Sequence, residues 1–261
     1  MIDTLRRHAS WLLPIAALVA LVAAWQLYID ISGVSDLLLP PPHAVARALV
    51  DDRGTLLRSL GRTALEIFCG ILVAVVFGFA AAVLIHYSTL ARRALYPLLV
   101  ASQAIPIVIL APVLVMWLNF GLRPILVLIA VVCFFPIVVT TLAGLETVDP
   151  ELIKLMHTFD ASKWQTFRRV ELPSALPGLM TGVKLAAVFA VIGAVFGEQD
   201  AGQSSGLGYL LNATLVNLEP AEAFATVCVL SVFAILLFVL LTVFERRALP
   251  WAYQTKEIQS R

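Results

Sequence analysis

Long apolar runs separated by short polar intervals make up most of this chain. The runs cover 11–29, 59–85, 95–118, 124–145, 179–196 and 223–244. A helix needs roughly 20 apolar residues to cross a bilayer core, so the pattern predicts six membrane-spanning helices. Between them, 37–42 reads as an extended, Pro-rich exit, and 44–57 as a weakly amphipathic helix too charged to span. Residues 86–93 read as a basic loop, 121–123 as a turn, and 197–221 as a loop rich in Gly, Ser and Asn. The third run holds Pro97, Pro106 and Pro112, which predicts a bent or partly broken helix. Gly70 and Gly78 fall on nearly one face of the second, where small residues let helices approach closely in lipid.

One interval breaks the pattern. Residues 148–184 form the longest polar and charged stretch. Asp149-Pro150 is a good helix start, an acid followed by a Pro at the first helical position. Leu152, Leu155, Met156 and Phe159 then recur at helical spacing, with Glu151, Lys154 and His157 between them. Asp160-Ala161-Ser162 ends that helix, because Asp and Ser satisfy backbone groups locally. A second piece, 163–170, is expected to stop at Leu172-Pro173 and Pro177-Gly178. Two short helices with apolar anchors, set between spans, suit docking in another protein's groove.

Composition agrees with the membrane assignment. Hydrophobic residues are 61% and charged residues 13% of the 261, with mean hydropathy +0.94. A soluble domain would carry about a quarter charged residues. The net charge of +1 and the lack of a basic tail give no sign of nucleic-acid binding. Cys69, Cys133 and Cys228 sit apart in apolar runs and read as packed thiols, not as a metal site or disulfide framework. Positive charge gathers on alternate intervals: Arg6, Arg7, Arg92, Arg93, Lys154, Lys163, Arg168, Arg169, Lys184, Arg246, Arg247, Lys256 and Arg261 against Arg47, Arg53, Arg58, Arg62 and Arg123. By the positive-inside rule both termini and the polar interval face the cytoplasm.

Within the spans, Glu66, Gln103, Trp117, Phe134, Phe135 and Glu198 are the pathway candidates, since polar groups at bilayer depth are costly and usually functional. Each has a structural reading beside it. Glu66 pairs with Arg62 one turn earlier, Glu198 is solvated at a span end, Gln103 bonds a neighbouring helix, and the aromatics pack. Phe159, Trp164 and Phe167 either meet a partner or pack on the chain's own helices, and Arg168 and Arg169 either pair with a partner or only set topology. An intramembrane hydrolase finds no Ser-His or paired-Asp constellation. An ion-coupled secondary transporter would also use broken helices and buried acids, but has no need of a long two-helix cytoplasmic segment.

The polar interval carries a recognisable spacing. Lys154-Leu155-Met156, then Asp160, then Val170-Glu171-Leu172-Pro173 resembles the EAA loop of bacterial ABC-importer permeases: EAA, three residues, Gly, nine residues, Ile-x-Leu-Pro. Lys154 for Glu and Asp160 for Gly are departures, though Asp tolerates a left-handed turn better than most residues. Leu39-Pro40-Pro41-Pro42, Ala104-Ile105-Pro106, Ala111-Pro112, Phe134-Phe135-Pro136, Ala175-Leu176-Pro177 and Ser205-Gly206-Leu207-Gly208-Tyr209 resemble the nitrate/sulfonate/taurine and thiamine-precursor branch.

The resemblance implies an all-α, six-helix, type I (MetI-like) permease in the bacterial inner membrane. Residues 1–36 would hold a tail and the first helix, 37–57 an extracytoplasmic segment, 58–250 the permease core with its coupling loop 148–178, and 251–261 a cytoplasmic tail. It implies a cytoplasmic ABC ATPase dimer that holds the ATP and Mg, a second permease copy and an extracytoplasmic binding protein. No cofactor, metal or catalytic residue is expected in this chain, which also lacks a Gly-x-x-x-x-Gly-Lys-Ser/Thr loop. Glu151, Lys154, Leu155, His157, Phe159, Asp160, Ala161, Ser162, Trp164, Phe167, Arg168, Leu172 and Pro173 would meet the ATPase. The expected solute is a thiamine-precursor pyrimidine or similar heteroaromatic compound. A nitrate, sulfonate or taurine anion is the alternative, against which no Lys or Arg lies centrally in a span after Arg62.

Overall fold

The computed structural model describes residues 2–252, with side chains for 13 and 16–252. The side chains of Arg6, Arg7, His8 and Trp11, and Lys256 and Arg261 of the tail, lie outside the described residues. Every regular element is helical: α1 (Ile2–Ser32), α2 (Pro42–Asp51), α3 (Arg53–Tyr87), α4 (Thr89–Ser102), α5 (Ile107–Leu118), α6 (Leu122–Glu146), α7 (Pro150–Thr158), α8 (Lys163–Thr166), a π turn (Phe167–Glu171), α9 (Leu172–Asp200), α10 (Leu207–Val216) and α11 (Pro220–Ala248). Among the described residues, four helices are long and apolar enough to cross a membrane: α3, α6, α11 and the continuous run Lys163–Asp200. The pair α4 and α5 is apolar enough when taken together but is bent by 106°, which is the geometry of a broken span or of a re-entrant loop. The first expected span, 11–29, falls in α1, whose described stretch Ala16–Ser32 is apolar.

Two compact units emerge. One joins the chain up to Arg58 with Leu210–Val229; the other joins Ser59–Tyr209 with the chain from Leu230. In the first, Val45 and Ala48 of α2 pack on Ala225, and the Trp25 and Phe224 rings lie 5.7 Å apart.

The second unit is built on α6. Gly70 and Gly78 of α3 face Ile129 and Ile137 of α6, with no room for a side chain at either glycine. On the other side α9 carries a small-residue stripe, Ala175, Gly178, Gly182, Ala186, Ala190, Gly193 and Gly197. Its glycines lie against α6 backbone: a Cβ at Gly178 would sit 2.5 Å from the Thr140 carbonyl, and one at Gly197 3.2 Å from Ile125 Cα. Reading up α6 from Ile125 to Gly144 runs down α9 from Gly197 to Gly178, so the two helices are antiparallel. Ile125, Ile129, Cys133 and Ile137 close the core with Ala186, Ala190 and Ala194. Backbones this close gain dispersion contacts that larger side chains would prevent.

Several boundaries differ from the sequence reading. The 37–42 exit begins in a turn, where the Leu38 N–H reaches the Ser35 carbonyl at 2.8 Å; Pro41 is extended, and Pro42 already opens α2. The helix expected over 44–57 is cut at Asp52, after which α3 starts at once. The 86–93 loop is a one-residue break, because Ser88 accepts from the Ala91 N–H and so starts α4. The third span does break as its prolines predict, at Gln103–Pro106, while Pro97 and Pro112 stay inside helices.

The 197–221 loop is mostly helix. Gly197 serves close packing on Ile125 and does not end α9, and α10 fills its second half. Leu172-Pro173 does not end a helix either. In the π turn the Leu172 N–H bonds to the Phe167 carbonyl, five residues back. That slipped register carries the backbone past Pro173, which has no N–H to give. Of the cysteines only Cys133 is buried; Cys69 is half-buried and Cys228 exposed.

Candidate functional site

The polar interval is built from explicit end signals. Asp149 Oδ1 accepts from the Glu151 N–H at 2.8 Å and starts α7. At the other end the Asp160 N–H bonds the His157 carbonyl and the Ala161 N–H bonds the Met156 carbonyl, both at 3.0 Å. This is a Schellman motif, whose left-handed position usually holds Gly; here it holds Asp160 at φ 51°. Ser162 then opens α8 with a capping box: its hydroxyl accepts from the Gln165 N–H, and Gln165 Oε1 accepts from the Ser162 N–H at 2.8 Å. The Ser-x-x-Gln spacing in the sequence is the signature of this reciprocal cap.

The corner so formed presents apolar groups outward. Phe159 is 73% and Trp164 67% exposed, and Leu152 and Leu155 are exposed beside them on α7. Glu151, Lys154, His157, Asp160, Ser162 and Arg168 are also exposed, and Ala161 is half-buried. Phe167 takes the opposite place. It is buried in a cluster with Leu145 and Ala175, against which half-buried Leu172, Phe79 and Val83 pack. Its ring stacks on Trp164 at 5.6 Å and meets Tyr87 edge-on at 6.1 Å. Pro173 is half-buried at the start of α9. The Tyr87 hydroxyl donates to the buried Glu171 carboxylate, and His86 Nε2 lies 3.9 Å from it. The contact of His86 and Tyr87 with Glu171 is not legible in the sequence, because no local pattern links α3 to the π turn.

The pathway candidates do not converge on one place. Gln103 is exposed at the end of α4 and lines a cavity of about 370 Å³ with Ile105, Pro106 and Phe189. Phe134 lines a separate apolar cavity of about 440 Å³ with Phe77, Leu95 and Leu99. Ser102 and Val131 border both. Phe135 is half-buried, and Trp117 is 75% exposed on α5.

Glu66 and Glu198 do come together, with Thr63 beside them, all three buried. Glu198 is therefore not a solvated span end. Its Oε1 accepts from the Thr63 hydroxyl at 2.6 Å and its Oε2 from the Gly208 N–H at 2.6 Å. The Thr63 oxygen in turn accepts from the Leu207 N–H at 2.8 Å. The carboxylate thus satisfies the Gly208 N–H, and Thr63 the Leu207 N–H, two open groups at the start of α10. Gly206, at φ 117°, passes so close to it that no side chain fits. Arg62 Nε donates to Glu66 Oε1 at 2.8 Å, as the i,i+4 spacing suggests. Lys184 of α9 is paired as well, with Glu245 of α11 at 2.6 Å. Among the described residues no group of His, Cys, Asp and Glu could hold a metal ion.

Residues 74–250 match the family described as binding-protein-dependent transport system inner membrane component. The formylaminopyrimidine transport permease protein ThiX of Halalkalibacterium halodurans is 32% identical over 95% of this chain and 98% of its own. The riboflavin transport system permease protein RibX of Chloroflexus aurantiacus is 36% identical over 61% of this chain and 59% of its own. The taurine transport system permease protein TauC of Escherichia coli is 28% identical over 92% and 89%. Among solved structures, an inward-facing MetNI methionine ABC transporter chain shares the fold, with TM-score 0.60 and 21% identity over 77% of this chain and 97% of that one. The chain belongs to this family: it is an inner-membrane, multi-pass permease component of a binding-protein-dependent ABC importer.

Proposed function

We propose that this permease carries a small, uncharged heteroaromatic solute of the formylaminopyrimidine class, taken from an extracytoplasmic binding protein. The observation that carries the reading is the 32% identity to a formylaminopyrimidine permease along nearly the whole of both chains. The charge arrangement supports it. Arg62 and Lys184, cations within apolar helices, are each neutralised by a carboxylate, so neither is free to attract an anion. Two copies of the chain enclose the pathway, and both termini lie in the cytoplasm. A cytoplasmic ATPase dimer docks on the corner formed by Phe159 and Trp164 within 148–178. Binding and hydrolysis of ATP bias the bundle between outward- and inward-facing states.

The test is reconstitution of the permease, its ATPase and its binding protein in vesicles supplied with labelled formylaminopyrimidine or labelled taurine. ATP-dependent accumulation of the pyrimidine, with taurine left outside, is the expected result. Accumulation of taurine alone would transfer the assignment to the sulfonate reading. Pyrimidine uptake driven by an ion gradient with no ATPase present would overturn the ATP-driven one.

A further inference from the structure

A cavity of about 440 Å³ opens between the start of α4 and the end of α6, within the roughly 300–1,000 Å³ of small-molecule sites. Its rim is charged. Arg92 Nη2 of α4 pairs with Glu146 Oε1 of α6 at 2.7 Å and ties the two helices across the mouth. Arg93 lines the same cavity. It is exposed and has no acidic partner among the described residues. Two guanidiniums against one carboxylate leave one net positive charge at the rim. Below it the lining changes character. Tyr96, one turn into α4 from Arg92, brings a hydroxyl on an apolar ring, and Val139, Leu142 and Ala143 of α6 form an apolar wall. From Glu146 to Val139 that wall runs about 10 Å along α6 at helical rise.

We propose that this cavity binds one anionic phospholipid, with its phosphodiester on Arg93 and Arg92 and the start of an acyl chain along Val139, Leu142 and Ala143. The charge fits, since one excess positive charge meets one phosphodiester, and the planar fork of an arginine suits phosphate oxygens. The order of the lining fits as well. Cation, amphipathic ring and hydrocarbon follow one another along the helices as head group, glycerol ester and acyl chain do along the membrane normal. Basic pockets between membrane helices hold anionic head groups in this way. A zwitterionic lipid brings a cation of its own to Arg93 and loses the match. An acidic peptide answers the rim and leaves the apolar wall without a partner. Glu146 ends α6, and Asp149 already caps α7. The lipid therefore braces the stem from which the aromatic corner springs.

Native mass spectrometry of the full-length permease in detergent, titrated with phosphatidylglycerol or with phosphatidylcholine of the same chains, tests this. Phosphatidylglycerol should bind at least fivefold more tightly. Arg93→Gln should weaken it about fivefold, the share of one basic residue beside an anionic head group. Ala143→Trp, which fills the exposed wall and leaves the charges in place, should weaken it too. Arg123→Gln, at the other end of α6, should change nothing. A wild type that does not prefer phosphatidylglycerol overturns the proposal, whether or not the variants fold. Undiminished binding in Arg93→Gln or in Ala143→Trp does the same, as does an equal loss in Arg123→Gln, which would make the effect one of overall charge. Displacement of the lipid by millimolar inorganic phosphate would leave a free-anion site and overturn the lipid assignment. Loss of a co-purifying subunit from Arg93→Gln, with lipid binding intact, would give the rim to a protein contact and overturn it equally.

Discussion

The α6–α9 contact and the α7–α8 corner use opposite residue types. Along α9, glycine and alanine bring two backbones together until no side chain fits between them. At the corner, Phe159 and Trp164 stand out with nothing from the chain covering most of their surface. In lipid there is no hydrophobic gain from moving an apolar side chain off a helix face, so spans associate through close fit. Where the chain leaves the bilayer, exposed aromatic surface regains its driving force for association. At the α6–α9 contact small residues hold two helices together, and at the corner two large ones stay open. The same amino-acid alphabet is read in reverse on the two sides of the membrane surface.

The contrast can be broken at its tight end. At Gly182 a Cβ would lie 2.9 Å from Ile137 Cα and 3.0 Å from the Pro136 carbonyl, which are backbone atoms that cannot step aside. Gly182→Leu should cost about 3 kcal/mol or more, seen as loss of the monodisperse peak or a collapsed melting temperature in detergent. A conservative change to alanine should already lower the melting temperature.

A middle case sharpens it. Phe167 and Trp164 stack on each other, yet one is buried and the other open. Phe167→Ala should cost about 3 kcal/mol of stability, the lower end for a buried phenylalanine. Phe159→Ala combined with Trp164→Ala should leave the melting temperature near that of the wild type, and should reduce ATPase recovery on co-purification at least tenfold. If the double variant keeps its ATPase, the exposed corner is not the dock. The smallest effect is expected at Asp160, which occupies a left-handed position. Asp160→Gly should stabilise the turn by up to about 1 kcal/mol, read as slower amide exchange across Phe159–Ser162.

Local signals were legible in the chain. Asp149-Pro150 starts a helix, Asp160 turns left-handed, the prolines break the third span, and Gly70 and Gly78 face a neighbour as their spacing requires. What could not be read depended on distant partners. Glu198 sits beside a Gly- and Ser-rich stretch and so reads as solvated; its burial follows from Thr63, 135 residues earlier, and from N–H groups whose orientation only the folded α10 sets. Pro173 reads as a stop signal, because the rule assumes α-helical register and a π turn suspends it. Gly197 reads as a breaker for the same kind of reason: its use is set by Ile125 on another helix.

That π turn has a mechanical consequence. From Lys163 to Asp200 the backbone is one uninterrupted rod of 38 residues, about 57 Å at helical rise. No slack connector lies between the aromatic corner and Glu198 at the far end. A tug on Trp164 therefore enters the bilayer as axial shift or torque along a stiff shaft, and Phe167–Glu171 is where the thread of that shaft is already cross-cut by one residue. Tightening that stretch to α-helical pitch would screw everything beyond it round the axis, turning the small-residue face of α9 against α6.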